Sequence, residues 1–207
     1  MNFGSMIWSL MKEDGVRMSS NNNIDMNPTS TRYLVADYLN YRLGKDGYSW
    51  ANSPPLEVTN KIHRSMRILA DEFEEKYSAE FTDMVQQLHI TPNVAYPTFN
   101  TVAQEVFSDG INWGRIVALF VFGGAFAIEC YEHNMSHLVD SIYDWVSTYV
   151  QNHLEQWITS QGGWNALVEF YEKSPDRHDK SLWPSFGKIC LGAVGVFALG
   201  AFLTNKS

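Results

Sequence analysis

The stretch from Ile111 to Tyr131, INWGRIVALFVFGGAFAIECY, constrains this chain more than any other. Between Trp113 and Ile128 it carries one charge, Arg115. A helix on a protein surface has an apolar stripe backed by polar residues, whereas this one is apolar on nearly every face. It either spans a bilayer or forms the central helix of a bundle covered on all sides. Length favours the second: Ile116 to Ile128 is thirteen residues, short of the roughly 20 needed to span a membrane. Gly123-Gly124 costs helix propensity, about 1 kcal/mol per glycine relative to alanine. Close approach of a neighbouring helix would explain that cost.

A chain of 207 residues is long enough for one domain with a real core and some additional sequence. Its formal charge of −8, with no basic stripe, gives no footprint for nucleic acid. Cys130 and Cys190 both sit in apolar runs, so a disulfide framework is not expected and a reducing compartment fits. No secretory signal is evident at the N-terminus. Cys130, His133 and His137 have metal-like spacing, but three side chains do not complete a zinc site, and no metal or cofactor is expected. No phosphate loop or nucleophile elbow is present, so the sequence offers no enzyme chemistry.

The remaining segments read as helices. Residues 1–30 are expected to be disordered. Thr29 to Thr31 supply N-cap candidates for a helix from Arg32 to Leu43, stopped by Gly44 and Gly47. Tyr48 and Trp50 are placed to fold back onto the body, ahead of a breaker-rich linker, Ala51 to Pro55. A second helix is predicted from about Leu56 to Tyr77, with Ile62, Met66, Leu69 and Phe73 as its apolar stripe. Asp71-Glu72 and Glu74-Glu75 are expected on its solvated side. A patch from Phe81 to Leu88 follows, then a turn bracketed by Pro92 and Pro97 and a short helix from Phe99 to Phe107. Ser108-Asp109-Gly110 is a turn, and Asn112 is placed to cap the central helix. Arg115 then sits where its long side chain can reach the surface. His137 to Trp157 resumes a helix, Gln161-Gly162-Gly163 breaks it, and Trp164 to Tyr171 closes the fold, with Trp113 and Trp164 read as packing residues. After a polar linker at 173–181 comes a hydrophobic tail, 182–207. The uninterrupted run Ile189 to Leu203 is fifteen residues, about 22 Å as a helix. Lys188 can snorkel, and Trp183 suits a membrane interface. The tail is read as a membrane anchor, with a helix packed into a groove or core as the alternative.

Several of these segments together resemble the Bcl-2 family of apoptosis regulators. VFSDGINWGRIVALFVFGG (Val106 to Gly124) is similar to the family's first homology region, and WITSQGGWNALVEFY (Trp157 to Tyr171) to its second. TRYLVADYLNYRL (Thr31 to Leu43) is similar to the fourth, and LHITP (Leu88 to Pro92) resembles the pro-survival branch. The third region, BH3, falls on Ile62, Met66, Leu69, Ala70, Asp71 and Phe73. It departs from pattern: Met66 stands for the usual leucine and Ala70 for the usual glycine.

The resemblance implies an all-α bundle with a central apolar helix and a surface groove that accepts another protein's BH3 helix. In it, Arg115 pairs with the ligand's acidic residue, and its planar fork suits a carboxylate. Asn112 adds a polar contact or the cap, and Gly114 allows close approach. Phe73, Tyr77, Phe81, Met84, Val106 and Tyr171 fall on groove positions, and Glu105 belongs to the same set. Glu105 and Asp109 are also candidate internal partners for Arg115. The implied partners are pro-apoptotic proteins, Bax- or Bak-like and BH3-only, and the implied location is the cytoplasmic face of the mitochondrial outer membrane, with the endoplasmic reticulum and cytosol as alternatives. A homo- or heterodimer is compatible with such a fold. Three functions stay open: a pro-survival BH3 binder, a pro-death pore former of the same family, and a structural helical membrane adaptor.

Overall fold

A computed structural model describes residues 27–87 and 90–173, with the side chains of 78–87 left out of the description. Of the segment 1–30 expected to be disordered, residues 1–26 lie outside the described residues, as does the expected anchor at 182–207. Residues 27–30 instead form a turn leading into the first helix, closed by the Ser30 N–H donating to the Asn27 carbonyl at 2.8 Å. Among those described, the secondary structure is entirely helical.

Helix α1, Thr31–Lys45, begins where the Ser30 hydroxyl accepts the Tyr33 N–H at 3.3 Å. It runs through Gly44 rather than stopping there. Helix α2, Lys61–Gln87, starts five residues later than its periodicity suggests, because Asn60 caps it: Asn60 Oδ1 accepts the N–H groups of Ile62 (2.8 Å) and His63 (3.2 Å). The predicted break near residue 77 is a kink inside one long helix, with Tyr77 at φ −121° and ψ 21°. Helix α3, Ala95–Val106, takes in Pro97, a residue whose sequence context predicts the preceding turn. Proline is tolerated there because the first-turn N–H groups have no intrahelical partner.

Helix α4, Trp113–Glu132, is the apolar stretch, capped by Asn112 as expected. A 3-10 turn at Ser136–Leu138 leads into α5, Val139–Tyr149. A π-helical turn, Val150–Leu154, joins α5 to α6, Glu155–Ser160, and α7 covers Asn165–Lys173. The predicted continuous helix from His137 to Trp157 is therefore interrupted by one wide turn. Gly162 (φ 105°) and Gly163 (φ 73°) make the α6–α7 reversal in a backbone region that side chains disfavour.

Helix α4 sits in the middle, with α1, α2, α3 and α5 packed against it. It has twenty residues, so the length argument drawn from its apolar segment does not hold for the whole helix. It is the one helix among the described residues long and apolar enough to cross a membrane, yet 89% of its most apolar window is buried within the protein. Burial, rather than length, makes it a core helix. A methyl group on Gly123 would lie 2.8 Å from Val146 Cγ2 of α5, and one on Gly124 would lie 2.8 Å from Arg42 Cγ of α1. The glycine pair thus admits two neighbours at once. Aromatic contacts tie the bundle together: Phe99 stacks on Phe122 (5.8 Å), Tyr38 meets Phe120 edge-on (5.8 Å), and Trp113 meets Trp157 edge-on (5.1 Å).

The connection 46–60 is held along its length. Tyr48 stacks on Tyr131, Trp50 Nε1 donates to Asp140 at 2.6 Å, and Asn52 donates to the same carboxylate at 2.7 Å. Tyr48 and Trp50 do fold back, onto the α4–α5 end of the bundle.

Substituting Gly123→Val should destabilise the fold by about 1–3 kcal/mol, the usual range for an overpacked core. Urea denaturation measures the loss, and Val146→Ala in the same chain should restore part of it.

Candidate functional site: the start of the central helix

The sequence places the candidate site where α3 ends and α4 begins. Asn112 adopts an extended conformation, and its side-chain oxygen accepts the Arg115 N–H at 2.9 Å. That cap fixes the first turn and aims the Arg115 side chain back along the 107–112 turn. The guanidinium does not reach out to the surface as expected; its side chain is only 8% exposed. Nη1 donates to the Gly110 carbonyl at 2.7 Å, and Nη2 donates to Asp109 Oδ2 at 3.1 Å. Of the two candidate internal partners, Asp109 is the one engaged.

The pairing is lopsided. The Asp109 side chain is 83% exposed, and Arg115 Nε is buried without a hydrogen-bond partner. An exposed carboxylate contributes little to an ion pair because water screens it. A buried guanidinium with an unused N–H retains a desolvation cost that a further acceptor would relieve.

The other predicted site residues divide by burial. Phe73, Val106 and Gly114 are buried, and the molecule's own side chains cover the first two. Tyr77, Glu105 and Tyr171 are half-buried, and Asn112 is exposed. Phe73 and Tyr77 are in ring contact at 5.0 Å. The side chains of Phe81 and Met84 lie outside the described residues. Tyr171 lines an open cavity of about 220 Å3 with Val168 of α7 and Lys61, Arg64, Ser65 and Ile68 of α2. Sequence reasoning did not single out those α2 residues, although Lys61, Arg64 and Ile68 share one face of the helix by their spacing.

The BH3-like stripe is turned inward: Ile62, Met66, Leu69, Ala70 and Phe73 all belong to the core. Its acidic residue is occupied too, since Asp71 accepts hydrogen bonds from the Tyr41 hydroxyl and Lys45 Nζ of α1. Around it, Arg67 donates twice to the buried Asp37 carboxylate, at 2.6 and 3.0 Å, and Arg42 Nε donates to Glu74 at 2.6 Å. Asp71 and Glu74 were expected on a solvated face; they face α1 instead, because α1 presents cations and a phenol at matching positions. Periodicity shows which face of α2 is apolar but not which helix covers its flank.

Cys130 is buried, and desolvation pushes its thiol up to about 12, with a smaller contribution from Glu129. The thiolate is the nucleophile, so this side chain is packing material.

Comparison with known proteins bears on the same residues. Residues 66–164 match the family described as apoptosis regulator proteins, Bcl-2 family. The chain is 33% identical to human Bcl-2-like protein 1 over 230 residues, covering 86% of this chain and 99% of that protein. It is 39% identical to apoptosis regulator R1 of Xenopus laevis, covering 84% of this chain and 76% of the relative. It is 34% identical to apoptosis regulator Bcl-2 of Gallus gallus, covering 84% and 95%. The chain belongs to the Bcl-2 family of apoptosis regulators, whose members are not enzymes.

At pH 8 Cys130 should resist iodoacetamide in the native protein and react fully once it is unfolded; mass spectrometry of a Cys190→Ser chain isolates the signal. Because the folded thiol titrates higher than the unfolded one, its contribution to stability is present below about pH 8.5 and is lost as pH rises toward 12.

Proposed function

We propose that this chain is a pro-survival regulator. It captures the BH3 helix of a pro-apoptotic protein beside Arg115 and so keeps the outer mitochondrial membrane closed. The observation that carries the reading is the buried guanidinium with a free Nε–H and only a solvent-exposed carboxylate for an ionic partner. An amphipathic helix laying its apolar face into a groove brings an acidic residue to the rim, and there the carboxylate finds a rigid, desolvated fork. Gly114, buried one residue earlier, leaves room for the ligand backbone. Phe73, Tyr77, Phe81, Met84, Val106 and Tyr171 supply apolar contacts, with Glu105 and Asn112 at the polar edge. Phe73 and Val106 are covered in the unliganded chain, so binding requires the walls to part.

The segment Thr31 to Leu43, similar to the fourth homology region, and LHITP (Leu88 to Pro92) support the pro-survival reading over the pro-death one, as does the similarity to Bcl-2-like protein 1 and Bcl-2. The pore-forming reading draws on the length of α4, but requires that helix to leave its burial. The tail at 182–207 is proposed as the membrane anchor; it should resist carbonate extraction from mitochondria.

Arg115→Ala should weaken binding of a BH3 peptide by about 2 kcal/mol, roughly thirtyfold. Calorimetry on a chain ending at residue 181 reads this directly, and unchanged affinity removes Arg115 from the site. Full-length protein co-expressed with a death-promoting relative should suppress cytochrome release from mitochondria. Release by this chain alone would favour the pore-forming reading.

A further inference from the structure

The first turn of α2 contains a reciprocal cap of unusual composition. Asn60 Oδ1 accepts the His63 N–H at 3.2 Å, and His63 Nδ1 accepts the Asn60 N–H at 3.1 Å. This is the geometry of a capping box, in which a glutamate or glutamine at the third helical position reaches back to the N-cap amide. Here the acceptor is an imidazole nitrogen. It can accept only while that nitrogen is unprotonated, so the ring must be neutral with its proton on Nε2.

The surroundings hold it in that state. His63 is fully buried, with 0% exposure. It is stacked on Tyr33 of α1, ring centroids 5.2 Å apart. Tyr33 is itself locked, its hydroxyl donating to Val58 O and accepting Val58 N–H. Nε2 has no well-formed hydrogen bond. Burial lowers the readiness of the ring to take a proton, and Arg67 and Arg64 of α2 add to this; Asp37 of α1 and the Pro28 carbonyl oppose it. The Asp37 carboxylate is already engaged twice by Arg67. Elsewhere around the α1–α2 pair, Glu155 of α6 accepts from Thr31, and α7 brings Glu172 to the cavity that Lys61 and Arg64 line.

We propose that this turn is an acid-sensitive catch: neutral His63 closes the cap on Asn60, and protonation at Nδ1 sets two donors against each other, opens the cap and loosens the start of α2 from α1. The sign follows from the depressed affinity for the proton. The catch is fully closed above the ordinary histidine range near pH 6.5, and its contribution is lost as pH falls from there through the lower value of the folded ring. The same turn carries Lys61, Arg64 and Ser65, so the cavity against α7 loosens with it. The device is independent of what binds beside Arg115.

His63→Gln tests it, because the glutamine amide oxygen can accept the Asn60 N–H and does not titrate. Thermal unfolding of the full-length chain between pH 7.5 and 5.0 should show a larger fall in Tm for the natural chain than for H63Q; parallel profiles would overturn the proposal. Hydrogen exchange gives a reading on the natural chain alone, whether or not H63Q folds. After correction for intrinsic pH dependence, protection of the Asn60 and His63 amides should drop about fivefold on acidification, the loss of one cap. Unchanged protection there, or a His63 ring that titrates at or above pH 6.5 by NMR, would overturn it.

Discussion

Every part of this fold answers one demand, which is to keep water away from a helix that has no polar face. A twenty-residue helix with buried side chains on all sides cannot be satisfied by one partner. It needs a closed ring of neighbours, and α1, α2, α3 and α5 provide it. Phe120, Phe122 and Phe126 are among the largest fully buried side chains, and aromatic residues of this size bury much apolar area. The cost is specificity of fit: where the ring closes tightest, at Gly123 and Gly124, no side chain is allowed on α4 at all. The one basic residue on that helix, Arg115, sits in its first turn, where the preceding loop can still supply acceptors.

Polar pairing then decides how the outer helices are seated. Between α1 and α2, Asp37 meets Arg67, Asp71 meets Tyr41 and Lys45, and Glu74 meets Arg42. Most of these pairs are partly exposed and individually modest, but Asp37 is buried and bound in a bidentate fashion, which fixes register as well as adding energy. The apolar stripe of α2 alone would tolerate sliding along α4; the charged contacts do not.

How much of this can be read from the sequence depends on which signal is local. The all-helical class, the buried helix, the Asn112 cap and the Gly162-Gly163 reversal all follow from residues close together in the chain. The close approach at Gly123-Gly124 also follows, because two glycines in a helix need a reason. Pairings between distant residues are not legible: nothing in the sequence around Asp37 indicates Arg67, and a histidine one residue after Ile62 reads as a polar neighbour of the stripe, not as a cap. At the candidate site, the position of Arg115 is legible but its burial is not, because the turn that folds over it is set by Gly110 and Asp109 rather than by α4. The interruption at Tyr77 is legible as a break between two helical patches, though not as a kink within one helix. The wide turn at Val150–Leu154 is not legible, since it carries no proline or helix-breaking pair.

The tacking of the 46–60 connection onto Asp140 has a mechanical corollary. Asp140 lies in the first turn of α5, and it holds both Trp50 and Asn52. The cord that joins α1 to α2 is thereby knotted to the second arm of the α4–α5 hairpin. Drawing that arm away from the body would tug directly on the leash between the first two helices, so these two halves of the molecule cannot loosen separately without first untying a single carboxylate.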